Sequence, residues 1–153
     1  IFNPDARRVQ HTIRRRHPVV QRALRALGER GLLDASHHRL GGAVALHSKA
    51  GCAQQPWHTD YDTAALRSAR AGGRARPKPL GVIVALEDDT VFLTPRAQHT
   101  LACGDVVCFE GDVVHAGAAY ARPNTRVHMY IDVAGVERPE NTTWDAEVGP
   151  SAA

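Results

Sequence analysis

From Leu40 onward, apolar and polar positions alternate in short runs interrupted by Gly, Pro, Asp and Asn, a pattern of half-buried strands rather than helices. The runs cover residues 42–48, 55–61, 80–87, 90–94, 98–102, 105–110, 112–116 and 125–133. About eight short strands predict a sandwich or barrel. The run "LGVIVAL", Leu80 to Leu86, is apolar on both faces and is expected in the middle of a sheet. Before Leu40 the pattern differs. Residues 5–16 and 18–30 read as two helical pieces parted at His17-Pro18, because proline suits the first turn of a helix and disfavours helix in the residue before it. Val20, Ala23, Leu24 and Leu27 give the second piece one apolar stripe, and Gly28 and Gly31 offer a stop. The expected organisation is one domain over 1–153, with a helical region at 1–39, a β core at 40–133 and a tail at 134–153.

Composition narrows this picture. At 153 residues and 43% hydrophobic content the chain can bury a core, and no apolar run is long enough to cross a bilayer, so no membrane partner is expected. The first residue is Ile, so the sequence is expected to be a processed or excised piece of a longer product. Cys52, Cys103 and Cys108 make an odd count without a C-x-x-C pair, which argues against a disulfide framework and a zinc ribbon and fits a reducing, intracellular compartment, cytoplasmic or nuclear. Asn141-Thr142-Thr143 matches a glycosylation acceptor, a triplet too short to outweigh the cysteines. Net charge is +3, but residues 1–80 hold 15 of the 19 basic and 5 of the 16 acidic side chains. Some of the excess sits in "RSARAGGRARPKP", residues 67–79, which has no apolar face and reads as a mobile loop. Its Arg67, Arg70, Arg74, Arg76 and Lys78, with no acid among them, are a candidate for an anionic partner, nucleic acid included. Phosphate-binding glycine loops, H-E-x-x-H and G-x-S-x-G are absent, so nucleotide hydrolysis, zincin proteolysis and α/β-hydrolase chemistry lack their usual sequence support.

The chemistry concentrates in three places. In "QPWHTDYD", His58 and Asp60 are two residues apart and, on a strand, direct an imidazole and a carboxylate to one side. His115 ends the run in "GDVVCFEGDVVHAG". Two histidines and one carboxylate on one face of a metal leave other positions open, the arrangement of non-haem Fe(II) oxygenases. In "TRVHMYIDV", Arg126, His128 and Tyr130 share one strand face and Val127, Met129 and Ile131 the other, so an arginine is directed into the interior, where a carboxylate would suit it. A dicarboxylate cosubstrate could chelate iron at one end and meet Arg126 at the other. Gln55 and His128 are candidate cosubstrate or substrate contacts. Trp57, Tyr61 and Tyr130 read first as packing residues, and Lys49 as a solvated strand-end lysine. His37-His38 and Glu87-Asp88-Asp89 fall at expected turns; Cys103 and Cys108 read as buried thiols; His11, His17, His47 and His99 have no partner pattern.

His58, Asp60, His115 and Arg126, in this order and with Arg126 eleven residues past His115, resemble the Fe(II)/2-oxoglutarate-dependent oxygenases, in particular the phytanoyl-CoA-hydroxylase-like and prolyl-hydroxylase-like branches. The resemblance covers about residues 40–133. It implies a mostly β fold, a double-stranded β-helix (jelly-roll) core with N-terminal helices packed outside. It also implies Fe(II) on His58, Asp60 and His115, 2-oxoglutarate as cosubstrate held by Arg126, O2 as oxidant, and hydroxylation or oxidative demethylation of a primary substrate that the sequence does not identify. Two rivals share the fold: a non-catalytic jelly-roll binding module, and a cofactor-independent metal cupin with more histidines and no late arginine.

Overall fold

The computed structural model describes residues 5–70, 77–136, 138–140 and 142–148. Its strands, in chain order, are β1 Arg8–Thr12, β2 His38–Ser48, β3 His58–Thr59, β4 Leu80–Ala85, β5 Thr90–Thr94, β6 Ala97–Leu101, β7 Val106–Glu110, β8 Ala116–Gly117, β9 Asn124–Val133 and β10 Trp144–Asp145. The helices are α1 Pro18–Glu29 and α2 Thr63–Arg70. One sheet runs β1-β2-β9-β4-β7 and a second runs β6-β5-β8, with β10 and β3 forming a two-stranded pair. Every pairing is antiparallel. Isolated bridges His58↔His115 and Cys52↔Tyr120 join the segment around β3 to the one around β8, extending the second sheet. This is the double-stranded β-helix that the family resemblance implies, within the sandwich or barrel class predicted from the strand count.

The period-two alternation of β9 organises the interior. Val127, Met129 and Ile131 turn outward from the cavity and pack with Val82, Val84 and Ala43 against Val20, Ala23 and Leu27 of α1. These α1 positions are three and four apart, so they fall on one helix face, and each fully buried Val or Leu contributes about 1.5–3 kcal/mol. Pro18 opens the helix, and the His17 side chain accepts the Val19 N–H. Arg126, His128 and Tyr130 take the opposite face and line the cavity.

Several expectations are corrected. Residues 5–16 are not a helix: Arg8–Thr12 forms β1, paired with β2 from Arg8↔Ser48 to Thr12↔Val44, because the edge of β2 offers it a full hydrogen-bond ladder. Only α1 represents the expected pair of N-terminal helices, so the region 1–39 is mixed. The runs 55–61 and 112–116 contract to the two residues of β3 and to the bridge at His115 leading into β8, since Pro56 and Gly111 interrupt the ladders. The tail beyond 133 adds β10 against β3. The basic stretch divides: Arg67 and Arg70 belong to α2, and residues 71–76, with Arg74 and Arg76, lie outside the described residues. Lys78 is not an uncompensated charge, because it pairs with Glu110 and with Asp112 at 3.3 Å.

Candidate metal centre

His58 and His115 sit directly opposite each other on adjacent segments. The His58 N–H donates to the His115 carbonyl at 3.0 Å and the His115 N–H to the His58 carbonyl at 2.9 Å. Directly opposed residues present their side chains on one face, and the two rings stand 4.5 Å apart. Each ring is then oriented by its own loop: His58 Nδ1 faces the Pro56 carbonyl at 2.8 Å and His115 Nδ1 the Val113 carbonyl at 3.0 Å. A carbonyl only accepts, so both Nδ1 atoms carry the proton and, in the neutral rings, the lone pair is on Nε2. Asp60, 0% exposed, follows two residues on. His58, Asp60 and His115 each offer one donor atom, and these atoms all lie within 4.8 Å of one another.

The pocket is built to hold this carboxylate. Gly81 stands where a Cβ would collide with the Phe109 ring and come within 2.9 Å of Asp60 Oδ2, so glycine at this β4 position makes room for both. His115 packs edge-on to Phe109 and near Phe92, with ring separations of 4.7 and 5.5 Å. His128 Nε2 lies 3.0 Å from Asp60 Oδ2, and His115 Nε2 lies 3.7 Å from Asp60 Oδ1.

The electrostatics agree with a ligand set. Burial would raise the Asp60 carboxyl, but the imidazoles of His128, His115 and His58 hold it below the ordinary carboxylate range. Burial pushes His115 down to about 4 and lowers His58 as well, so both are neutral at pH 7. Asp60 Oδ1 and His115 Nε2 are buried without a hydrogen-bond partner among the described residues, while Asp60 Oδ2 and His128 Nε2 face each other at 3.0 Å. Unpartnered polar atoms buried at one point are costly unless something binds them, and the donor set of two imidazoles and a carboxylate fits a divalent transition metal.

The same residues line a cavity of about 440 Å³ that also receives Gln55, Arg126, Tyr130 and Arg8. Arg126 is 3% exposed. It donates to Ser48 Oγ at 3.1 Å, and its Cζ stands 5.6 Å from the Tyr120 ring centroid. Among the described residues it forms no ion pair with a carboxylate. Burial lowers its pKa. Arg8 donates to the same Ser48 Oγ at 3.1 Å and to the carbonyls of Ala53, Gly117 and Ala118. The Ser48 oxygen therefore accepts from two guanidinium groups, which leaves its own proton to donate.

Of the remaining candidates, Gln55 lines the cavity beside Gly117, and Tyr130 lines it half-buried. Trp57 is half-buried outside the cavity lining, its carbonyl accepting the Ala146 N–H. Tyr61 is a core residue, 1% exposed, donating to Asp132 Oδ1 at 2.8 Å. Lys49 is exposed. Cys108 is half-buried, but Cys103 is exposed, contrary to expectation, because it occupies the turn before β7. His37 Nδ1 lies 2.9 Å from Asp34 Oδ2. Ser48, Arg8 and Gly81 were not singled out by the sequence. Ser48 is two residues beyond Leu46 on the inward face, a signal that the alternation carries, whereas Arg8 was concealed by its helix-like neighbours.

No protein-family model and no curated protein matches this sequence. Solved structures do. A cupin-2 domain protein from Rhodospirillum rubrum aligns with TM-score 0.53 and 11% identity over 95% of this chain and 69% of that one. The polyketide cyclase RemF from Streptomyces resistomycificus aligns with TM-score 0.51 and 8% identity over 95% of this chain and 75% of that one. The chain spans 53% of the length of a matched HTH_3 family transcriptional regulator from Vibrio cholerae, with TM-score 0.47, 13% identity and 85% of this chain covered. At these identities the likeness establishes the fold: a cupin-type double-stranded β-helix. Among the described residues no helix is long and apolar enough to cross a membrane.

Proposed function

We propose that this chain is a non-haem Fe(II)- and 2-oxoglutarate-dependent oxygenase that hydroxylates, or oxidatively demethylates, a substrate in this cavity, with release of succinate and CO2. The observation that carries the reading is Arg126, a buried guanidinium that shares the cavity with the candidate metal ligands and has no carboxylate partner among the described residues. A buried cation without a counter-ion is costly, and a dicarboxylate would supply one.

His58, Asp60 and His115 would hold the iron, which when bound supplies the activation of O2 that side chains cannot perform. The carbonyls of Pro56 and Val113 fix the tautomers that face it. Arg126, with the Ser48 hydroxyl beside it, would take the far carboxylate of 2-oxoglutarate. Phe92, Phe109 and Ile83 form a buried apolar cluster, with Phe92 and Phe109 beside His115, that would help to keep water out. Gln55 and His128 line the remaining surface and would contact cosubstrate or substrate.

One observation favours a second reading. His128 places a third imidazole against Asp60, and if it ligates as well the centre is that of a cofactor-independent metal cupin with fewer open positions. Anaerobic titration of the iron-loaded protein with 2-oxoglutarate, followed by its metal-to-ligand absorption, separates the two. The oxygenase reading requires binding in the parent and a loss of about 2 kcal/mol, roughly 30-fold, in Arg126→Met. An iron-loaded parent that ignores 2-oxoglutarate would favour the metal cupin.

A further inference from the structure

Besides Arg126 and Arg8 the cavity has a third guanidinium, Arg138, at the end away from Arg126. Arg126, His128 and Tyr130 follow one another along one face of β9, so Tyr130 lies about 13 Å from Arg126 at some 3.3 Å per residue, with His128 and Asp60 between them. Arg138 lies over the Tyr130 ring, its Cζ 3.8 Å from the ring centroid, and lines the same cavity. Among the described residues its Nε is buried without a hydrogen-bond partner, and its one side-chain hydrogen bond is a 3.5 Å contact from Nη1 to the Pro139 carbonyl. It forms no ion pair with a carboxylate among the described residues. A guanidinium lying over an aromatic ring directs N–H groups away from the ring, where they can grip a carboxylate with two parallel hydrogen bonds.

Arg138 is also held in place from both sides. Its backbone N–H donates to Asp132 Oδ1 at 3.3 Å, an oxygen that also accepts the Tyr61 hydroxyl. The chain that follows it returns as β10 against His58 and Thr59, and the Ala146 N–H donates to the Trp57 carbonyl. The segment carrying Arg138 is thus fastened to the strand that carries the candidate metal ligands.

We propose that Arg138 and Tyr130 form a second anion seat, and that the primary substrate is a small organic acid whose carboxylate docks there while its carbon chain reaches back toward His58, Asp60 and His115. The assignment of this acid as the substrate rests on the oxygenase reading; the seat itself does not. At about 440 Å³ the cavity has room for a small dicarboxylate at the Arg126 end and a second small acid at the other.

The test uses the full chain loaded with zinc, to keep it diamagnetic, and saturated with 2-oxoglutarate. Hexanoate and phenylacetate, against hexanamide and phenylacetamide, are titrated by saturation-transfer NMR. The acids are expected to bind at least tenfold more tightly than the amides. Arg138→Gln should abolish that preference, and Arg138→Lys, which keeps the charge but not the fork, should retain some of it. Melting temperatures of both variants show that they are folded. In Arg126→Met the preference for acids should persist, because the seat is separate. Absence of an acid preference in the parent, its survival in Arg138→Gln, or its loss in Arg126→Met alone would overturn the proposal. If the oxygenase reading is what fails, 2-oxoglutarate will not bind the parent while the Arg138-dependent preference for acids remains.

Discussion

His58 and His115 exchange two backbone hydrogen bonds across adjacent segments while their Nδ1 atoms are each fixed by a carbonyl two residues back. The backbone therefore sets the separation of the two imidazoles and the loops set their tautomers before any metal arrives. Preorganisation of this kind removes the cost of ordering the ligands on binding. We expect one divalent metal per chain, lost from His58→Ala and from His115→Ala and weakened at least tenfold in Asp60→Asn. Metal analysis of the purified variants decides this; unchanged content in all three would remove the site.

Gly81 offers a sharper test, because it is not a ligand. Gly81→Ala inserts a methyl group against the Phe109 ring and 2.9 Å from Asp60 Oδ2. Overpacking of this sort costs about 1–3 kcal/mol, and the softer of the two neighbours is the carboxylate. The variant should fold with a lower melting temperature and bind metal at least tenfold more weakly, a coupled loss measurable by calorimetric titration. Parent-like affinity would mean that Asp60 does not need the space.

The features of this site that were legible in the sequence are those that a single strand or a fixed spacing encodes. Arg126, His128 and Tyr130 alternate with Val127, Met129 and Ile131, and the two faces of β9 separate as that alternation predicts. His58-x-Asp60 and His115 come together although little regular strand surrounds them. What was not legible depends on pairing partners. Arg8 has helix-forming neighbours, and only the ladder with β2 makes that segment a strand. Arg138 lies past the last predicted strand, and its place at the cavity follows from β10 returning to β3. The close approach that requires Gly81 involves Phe109 and Asp60, both distant in sequence.

Stability of the metal-free protein should depend on pH through the buried imidazoles. His115 has a folded-state pKa near 4 against an ordinary 6.5, because burial disfavours its charged form. The unfolded chain thus binds a proton between those values that the folded chain does not. The contribution is fully present above pH 6.5 and is lost as pH falls toward 4, amounting to roughly 3 kcal/mol for this group at the lower end. His58, also lowered by burial, acts in the same direction. Urea unfolding of the chelator-treated protein between pH 7.5 and 4 should show the decline, and His115→Gln should flatten it. A decline of equal size in His115→Gln would assign it to other groups.

Arg126 should show the opposing demands of stability and binding. It is 3% exposed, forms one hydrogen bond to Ser48 Oγ, has no ion pair among the described residues, and shares that hydroxyl with the like charge of Arg8. Methionine of similar length removes an uncompensated buried charge; even replacing a buried ion pair by apolar residues is often neutral or stabilising by about 1–4 kcal/mol. Without ligands, Arg126→Met should therefore melt no lower than the parent. Saturating 2-oxoglutarate with bound metal should raise the melting temperature of the parent, since a ligand at 100 times its Kd adds about 2.7 kcal/mol, and should raise that of the variant far less. The order of the two proteins would then reverse on adding the cosubstrate. A variant destabilised by more than about 2 kcal/mol in the absence of ligand would instead identify Arg126 as a structural residue, its bond to Ser48 and its contact with Tyr120 outweighing the cost of the buried charge.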